Sequence, residues 1–214
     1  MPAAYKAVIF DMDGTLVDSE RALLDVWDST AREMGYIFSR DVMMKTIGTT
    51  YAETMRMIRE TYPDAPHDDI RKETSLRFGA MRAGGQIALR PGARTALAAV
   101  SDLGLKIGLC TSTRGMSAKA TLDSVGISGY FNATVFGDEI TRGKPDPEPY
   151  LLVASKLGLN PRECLAVEDS PSGARSALAA GMAVAFVPDM LPVPDDVADK
   201  IAIVDNITQI ITLL

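Results

Sequence analysis

The chain has 214 residues, 47% of them hydrophobic and 23% charged, with a net charge of −6. That apolar content builds a full core and argues against disorder, and the acidic balance offers nothing to nucleic acid or an anionic membrane. No run of about 18 uninterrupted apolar residues occurs, so no membrane span is expected.

Taken in order, Met1 to Lys6 lacks a basic-then-apolar leader and runs straight into a strand expected over 5–10. The strand is followed at once by Asp11-Met12-Asp13-Gly14-Thr15-Leu16-Val17-Asp18. Residues i and i+2 of extended chain point the same way, so Asp11 and Asp13 are expected to face one pocket beyond the strand's carboxyl end. Two close carboxylates repel, and a cation or a shared proton must compensate.

Residues 18–88 contain no good strand. Leu23, Val26, Trp27, Thr30, Ala31 and Met34 recur at helical spacing, as do Met55, Ile58 and Tyr62, then more weakly Ile70, Thr74, Arg77 and Met81. Met34, Met43, Met44, Met55, Met57 and Met81 read as packing residues. Gly84-Gly85 and Arg90-Pro91-Gly92 bracket the return to a strand-rich pattern.

From 105 onward, strand-like runs at 105–111, 133–136, 164–168, 183–187 and 201–204 alternate with helical segments near 116–125, 147–157, 172–180 and 207–213. This rhythm predicts an α/β fold, a doubly wound parallel sheet interrupted after its first strand by a helical unit. The two cysteines, Cys110 and Cys164, fall in apolar runs and read as reduced core residues of a cytoplasmic protein. The single histidine, His67, lies in a loop-like segment and offers neither a Cys–His metal site nor a nucleophile's partner.

In a parallel sheet the carboxyl ends of the strands share one edge. Four pieces meet there: Asp11 with Asp13; Thr111-Ser112-Thr113-Arg114; Lys144 in Gly143-Lys144-Pro145-Asp146-Pro147; and Glu168-Asp169-Ser170-Pro171-Ser172-Gly173. Phosphoryl transfer needs an in-line nucleophile, charge neutralisation and a proton donor for the leaving oxygen. A carboxylate can be that nucleophile, and Mg²⁺ favours one or two carboxylates with water and phosphate oxygen.

Together these pieces resemble the four motifs of the haloacid dehalogenase-like superfamily, and the resemblance covers nearly the whole chain. It implies a Rossmann-like core over 1–17 and 89–214 and an inserted helical cap over 18–88. It implies Asp11 as nucleophile, Asp13 as general acid/base, Thr111 as the second-motif hydroxyl and Lys144 as the third-motif lysine. Mg²⁺ would be held by Asp11, the Asp13 backbone carbonyl and Asp169, with Glu168 beside them.

Asp13 stands where the family's dehalogenases lack a carboxylate, which favours phosphate chemistry. A phosphonatase would need a Schiff-base lysine, and Lys45, the nearest candidate, reads as a surface lysine. The pattern is similar to the branch of β-phosphoglucomutases and small sugar-phosphate phosphatases. Mutases of that branch place a histidine where this chain has Leu23, and an arginine, three residues after a glycine, where it has Tyr51 after Gly48. The expectation is therefore a Mg²⁺-dependent phosphatase of a small phosphorylated metabolite such as a sugar phosphate or a phosphoglycolate-like acid, acting as a monomer. A mutase and a non-catalytic relative are the competing readings. Ser112, Arg114, Thr49 and Tyr51 are the expected substrate contacts; Arg114 also reads as a surface residue beginning a helix.

Overall fold

The computed structural model describes residues 5–47 and 51–214, with side chains omitted for 51–53. Six parallel strands lie in the order β3-β2-β1-β4-β5-β6. They are β1 Ala7–Phe10, β2 Lys106–Cys110, β3 Ala133–Val135, β4 Cys164–Glu168, β5 Ala183–Phe186 and β6 Ala202–Ile203. The six strands are those expected from sequence, trimmed by a residue or two at most ends.

β1 is central and wholly buried, as its unbroken apolar run Ala7-Val8-Ile9-Phe10 requires. Successive side chains leave on opposite faces. Val8 and Phe10 pack with Ile107, Leu109, Leu165 and Val167. Ala7 and Ile9 pack with Cys110, Cys164, Ala166 and Phe186. The first face is covered by α5 (Ala93–Asp102) and α6 (Gly115–Ser124), and the second by α7 (Glu148–Leu157) and α8 (Pro171–Ala179). Burying one such large apolar side chain contributes about 1.5–3 kcal/mol. Gly108 lets α7 close on the sheet, since a Cβ there would meet Val153, Ile9 and Leu157 at 3.0–3.2 Å.

α5 is not among the elements expected from sequence, although its buried Ala93, Ala96, Leu97 and Val100 fall at helical spacing. The segment 207–213, expected as a helix, is a 3₁₀ helix. Helix-ending glycines are where expected: Gly126, Gly158 and Gly181 all have positive φ.

Between β1 and α5 stand α1 (Ser19–Glu33), α2 (Arg40–Met44), α3 (Tyr51–Thr61) and α4 (His67–Ala83). They bury their own cluster of Trp27, Phe38, Met43, Met55, Ile58 and Ile70. The stripe on α1 is narrower than its sequence suggests: Val26, Trp27, Thr30 and Ala31 are buried, but Leu23 is 40% and Met34 37% exposed. Met34, at the helix's end, is therefore not a packing residue. His67 is the first residue of α4 and buried, its Nε2 at 2.7 Å from the Tyr62 carbonyl oxygen. The two connections to the sheet run side by side: Val17 pairs with Leu89, and the Asp18 N–H donates to the Ala88 carbonyl at 2.9 Å. Among the described residues no helix is long and apolar enough to cross a membrane.

Candidate active site

The strand order reverses at β1, so a crevice opens beyond the carboxyl ends of β1, β2 and β4. Asp11 is the first residue past β1, and its N–H still donates to the Val167 carbonyl at 3.0 Å. The chain then turns at Gly14, with φ +85°. A Cβ at that position would collide with the Asp169 carboxylate, so glycine is required both for the turn and for the close approach. Glu168 ends β4, and α8 starts immediately after it behind the Ser170 cap, whose Oγ accepts from the Gly173 N–H at 3.0 Å. Gly173 is needed for the same reason as Gly14: a Cβ would overlap the Glu168 carboxylate.

Lys144 arrives from the loop between β3 and α7 and is buried. Its Nζ donates to Asp11 Oδ1 at 2.6 Å, to Glu168 Oε1 at 2.5 Å and to the Cys110 carbonyl at 3.0 Å. Glu168 is held from three further donors: the Tyr150 hydroxyl at 2.7 Å, the Ser170 Oγ at 3.0 Å and the Ser170 N–H at 3.3 Å. Asp169 accepts from Thr15 Oγ1 at 2.8 Å.

The electrostatics follow from this crowding. Burial pushes the Asp11 carboxyl well above its usual range, and Glu168 and Asp13 add to the push against the pull of Lys144. Burial also raises Asp169, with Asp11 and Glu168 adding their charge. Burial works against the Lys144 proton, but Asp11 and Glu168 more than reverse it, so this ammonium stays charged. One oxygen from each of Asp11, Glu168 and Asp169 fits within 4.8 Å of the others. Three carboxylates face a single ammonium in this nest, and all the donors are hard oxygens. That set suits a small divalent cation rather than a soft metal.

Asp13 is treated differently. Its Oδ1 accepts from Ser19 Oγ at 2.5 Å and from Arg82 Nη2 at 2.6 Å. Its Oδ2 accepts from Thr113 Oγ1 at 2.5 Å and Thr111 Oγ1 at 3.3 Å. Ser19 opens α1 and Arg82 closes α4, so the helical insertion grips this carboxylate from two sides. Arg82 lies over the Phe78 ring, 4.8 Å from its centroid, and also reaches Thr121 Oγ1 of α6 at 3.4 Å.

A second acidic group lies alongside. Glu20, Asp169 and Asp189 can bring one oxygen each within 4.8 Å. Burial, with help from the charges of Asp13 and Asp189, pushes Glu20 up to about 7. Asp189 is shared by Arg21 of α1, at 2.7 Å, and by Arg90 of the second connection.

The structure thus brings Asp11, Lys144, Glu168 and Asp169 into one cluster and Asp13 with Thr111 into a second. Ser112 and Arg114 are exposed in the turn before α6; Arg114 is the capping residue of that helix. Lys45 is exposed just past α2. Thr49 and Gly48 lie outside the described residues, and Tyr51 begins α3 with its side chain outside them. Arg82, Thr113 and Tyr150 carry no role in the sequence reading, and Ser19 and Glu20 enter it only as part of the helix start expected to set specificity. Nothing in the spacing of Arg82 or Tyr150 marks them; only the fold carries them to Asp13 and Glu168.

The profile of the haloacid dehalogenase-like hydrolase family matches residues 5–181. Among curated proteins, the phosphorylated carbohydrates phosphatase of Thermotoga maritima is 32% identical over 83% of this chain and 82% of its own. Hexitol phosphatase A of Escherichia coli is 35% identical over 85% and 82% respectively. A crystal structure of a HAD family hydrolase from Deinococcus radiodurans R1, with bound phosphate and sodium, superimposes with a TM-score of 0.81 at 26% identity, covering 97% of this chain and 94% of that one.

Proposed function

We infer that this chain, which belongs to the haloacid dehalogenase-like hydrolase family, is a magnesium-dependent phosphatase of a small phosphomonoester, working through an aspartyl phosphate on Asp11. One observation carries the reading: Asp11, Lys144, Glu168 and Asp169 form a single buried cluster at the sheet's switch point, while Asp13 is held apart by its own donors.

In this reading an Asp11 oxygen attacks phosphorus, the P–O bond to the alcohol breaks, and Asp13 gives the leaving oxygen its proton. Asp13 then takes a proton from the water that attacks the aspartyl phosphate, releasing phosphate and restoring Asp11. Lys144 keeps Asp11 anchored and offsets charge on the transferring group. Glu168, fixed by Tyr150 and Ser170, fixes Lys144 in turn. Asp11, Asp169 and the Asp13 backbone carbonyl, with Glu168 beside them, would hold Mg²⁺, which would supply positive charge to the phosphoryl oxygens. The Deinococcus relative carries bound phosphate and sodium, which supports binding of an anion and a cation by this fold.

Residues 18–88 act as the cap over a core of 1–17 and 89–214, closing to exclude bulk water. Thr111 orders the turn that brings Thr113 to Asp13, its Oγ1 accepting the Thr113 N–H at 3.0 Å. Ser112 and Arg114 stand at the core's rim as substrate contacts, with Thr49 and Tyr51 offered from the cap. The names of the relatives support a substrate among phosphorylated carbohydrates and related small acids. The buried free thiols of Cys110 and Cys164, pushed up to about 12 and about 11 by burial, fit a reducing cytoplasm.

The test is Mg²⁺-dependent phosphate release from a panel of phosphorylated metabolites, with β-glucose 1-phosphate included and glucose 6-phosphate assayed separately. Phosphate release lost in Asp11→Asn supports the reading. Glucose 6-phosphate formed without net phosphate release would make the enzyme a mutase instead.

A further inference from the structure

The acidic group beside the reacting cluster has no part in the mechanism above. It is assembled from three places in the chain. Glu20 stands in the first turn of α1, Asp169 directly follows β4, and Asp189 lies in the segment after β5. One carboxylate oxygen from each comes within 4.8 Å of the others. Asp169 therefore belongs to two triads, this one and the one it forms with Asp11 and Glu168.

The donors around the group do not cover it. Thr15 Oγ1 serves Asp169 Oδ1 at 2.8 Å. Arg21 Nη2 lies 2.7 Å from Asp189 Oδ1, and Arg90 Nη1 donates to that same oxygen. Asp189 Oδ2 is left with no hydrogen-bond partner, on a side chain only 1% exposed. A carboxylate oxygen buried and bare is costly, so such atoms are ordinarily paired or bound to an ion. Glu20 accepts no hydrogen bond among the described residues. Arg21 is divided further, since Asp18 also holds it at 3.1 Å. Charged, hard oxygens converge here with too few cations to match them, and that combination suits a divalent ion.

We propose that Glu20, Asp169 and Asp189 form a second divalent-cation site, with Asp169 bridging it to the first. The inference rests on the phosphatase reading only for that first cation. The two sites differ in what they join. The first is made by residues that follow β1 and β4. The second adds Glu20 from the helical insertion, so an ion held there ties α1 to the edge of the sheet beside Asp13.

The experiment titrates Mn²⁺ into metal-free protein at about pH 8 and follows it by electron paramagnetic resonance. Phosphate release from p-nitrophenyl phosphate, by wild type and Asp11→Asn, is measured on the same preparations. Wild type is expected to take up about two Mn²⁺ per chain, the second broadening the spectrum of the first because one carboxylate joins them. Glu20→Gln keeps the side chain's shape and loses its charge. It should weaken the second ion by roughly tenfold or more and abolish the broadening, while the first ion still binds. Asp189→Asn, which keeps an oxygen for Arg21 and Arg90, should act in the same way. Uptake of a single ion by the wild type, as a proton shared among these carboxylates would give, overturns the proposal. So does a second ion whose affinity and spectrum Glu20→Gln leaves unchanged. Either result leaves the phosphatase standing where phosphate release depends on Asp11. Loss of that dependence would remove the phosphatase reading, while the Mn²⁺ count and the Glu20→Gln spectrum still decide the second site.

Discussion

The floor and the roof of the crevice are built on opposite terms. On the floor, Asp11, Glu168, Asp169 and the side chain of Lys144 are buried, and Lys144 and Glu168 are locked by donors and acceptors from three strand ends and α7. On the roof, Ser19 and Arg82 reach down to Asp13, while Trp27 and Thr74 present polar atoms with no partner. The ion pairs and hydrogen bonds of the floor fix where its charges stand. Asp13 is the joint between the two, held by Thr111 and Thr113 from the core and by Ser19 and Arg82 from the insertion.

The largest effects should come from breaking the floor. Asp11→Asn should reduce turnover by roughly 10⁴-fold or more, with circular dichroism and Tm showing a retained fold. Lys144→Ala should cost roughly 10²–10³ in kcat. It should also lower stability by about 3–5 kcal/mol in denaturant titration, because Asp11 and Glu168 are left buried without their cation. A Lys144→Ala protein as stable as wild type would mean that the floor is not the tightly coupled unit described.

Loosening the joint should do less. Arg82→Ala removes one of Asp13's donors without touching Asp11. A drop of roughly tenfold is expected with alkyl phosphates and a smaller one with p-nitrophenyl phosphate, whose leaving group needs no proton. Equal losses with both leaving groups would place Arg82 in folding or cap docking rather than in proton transfer.

The smallest and most specific effect concerns pH in metal-free protein. Glu20, at about 7, binds its proton more tightly folded than unfolded, and Asp11 and Asp169 are shifted in the same direction. Between about 4.5 and 7 the folded state therefore holds more protons than the unfolded one at Glu20, so stability falls as pH rises through that window. Glu20→Gln should flatten this fall in thermal melts run with chelator. Added Mg²⁺ should raise Tm of the wild type more at pH 8 than at pH 5.5, since the cation offsets charges that are present only at the higher pH.

The same division explains what was legible in sequence. The floor residues sit at strand ends, where an apolar run stops on a carboxylate or hydroxyl; Asp11, Thr111 and Glu168-Asp169 could be read that way, and Lys144 came with its Gly-Lys-Pro context. The parallel sheet followed from the same runs. α5 did not, although Ala93, Ala96, Leu97 and Val100 keep helical spacing, because small alanines make that stripe only weakly hydrophobic. The roof was harder to read, since a helix face is defined only by what it meets. Trp27 and Leu23 belong to one sequence stripe, yet one is in the core and the other is partly exposed. Arg82 and Tyr150 are ordinary helical residues until the fold brings them to Asp13 and Glu168, across long stretches of chain.

The central claim is that Asp11 carries the phosphoryl group, and acid-quenched turnover followed by peptide mass spectrometry tests it most directly. With a phosphomonoester that the enzyme turns over and Mg²⁺, a phosphoryl adduct should appear on the peptide containing Asp11 during steady-state turnover and vanish once substrate is spent. Phosphate released at full rate with no adduct on that peptide at any quench time, or with the adduct on another residue, would contradict the account.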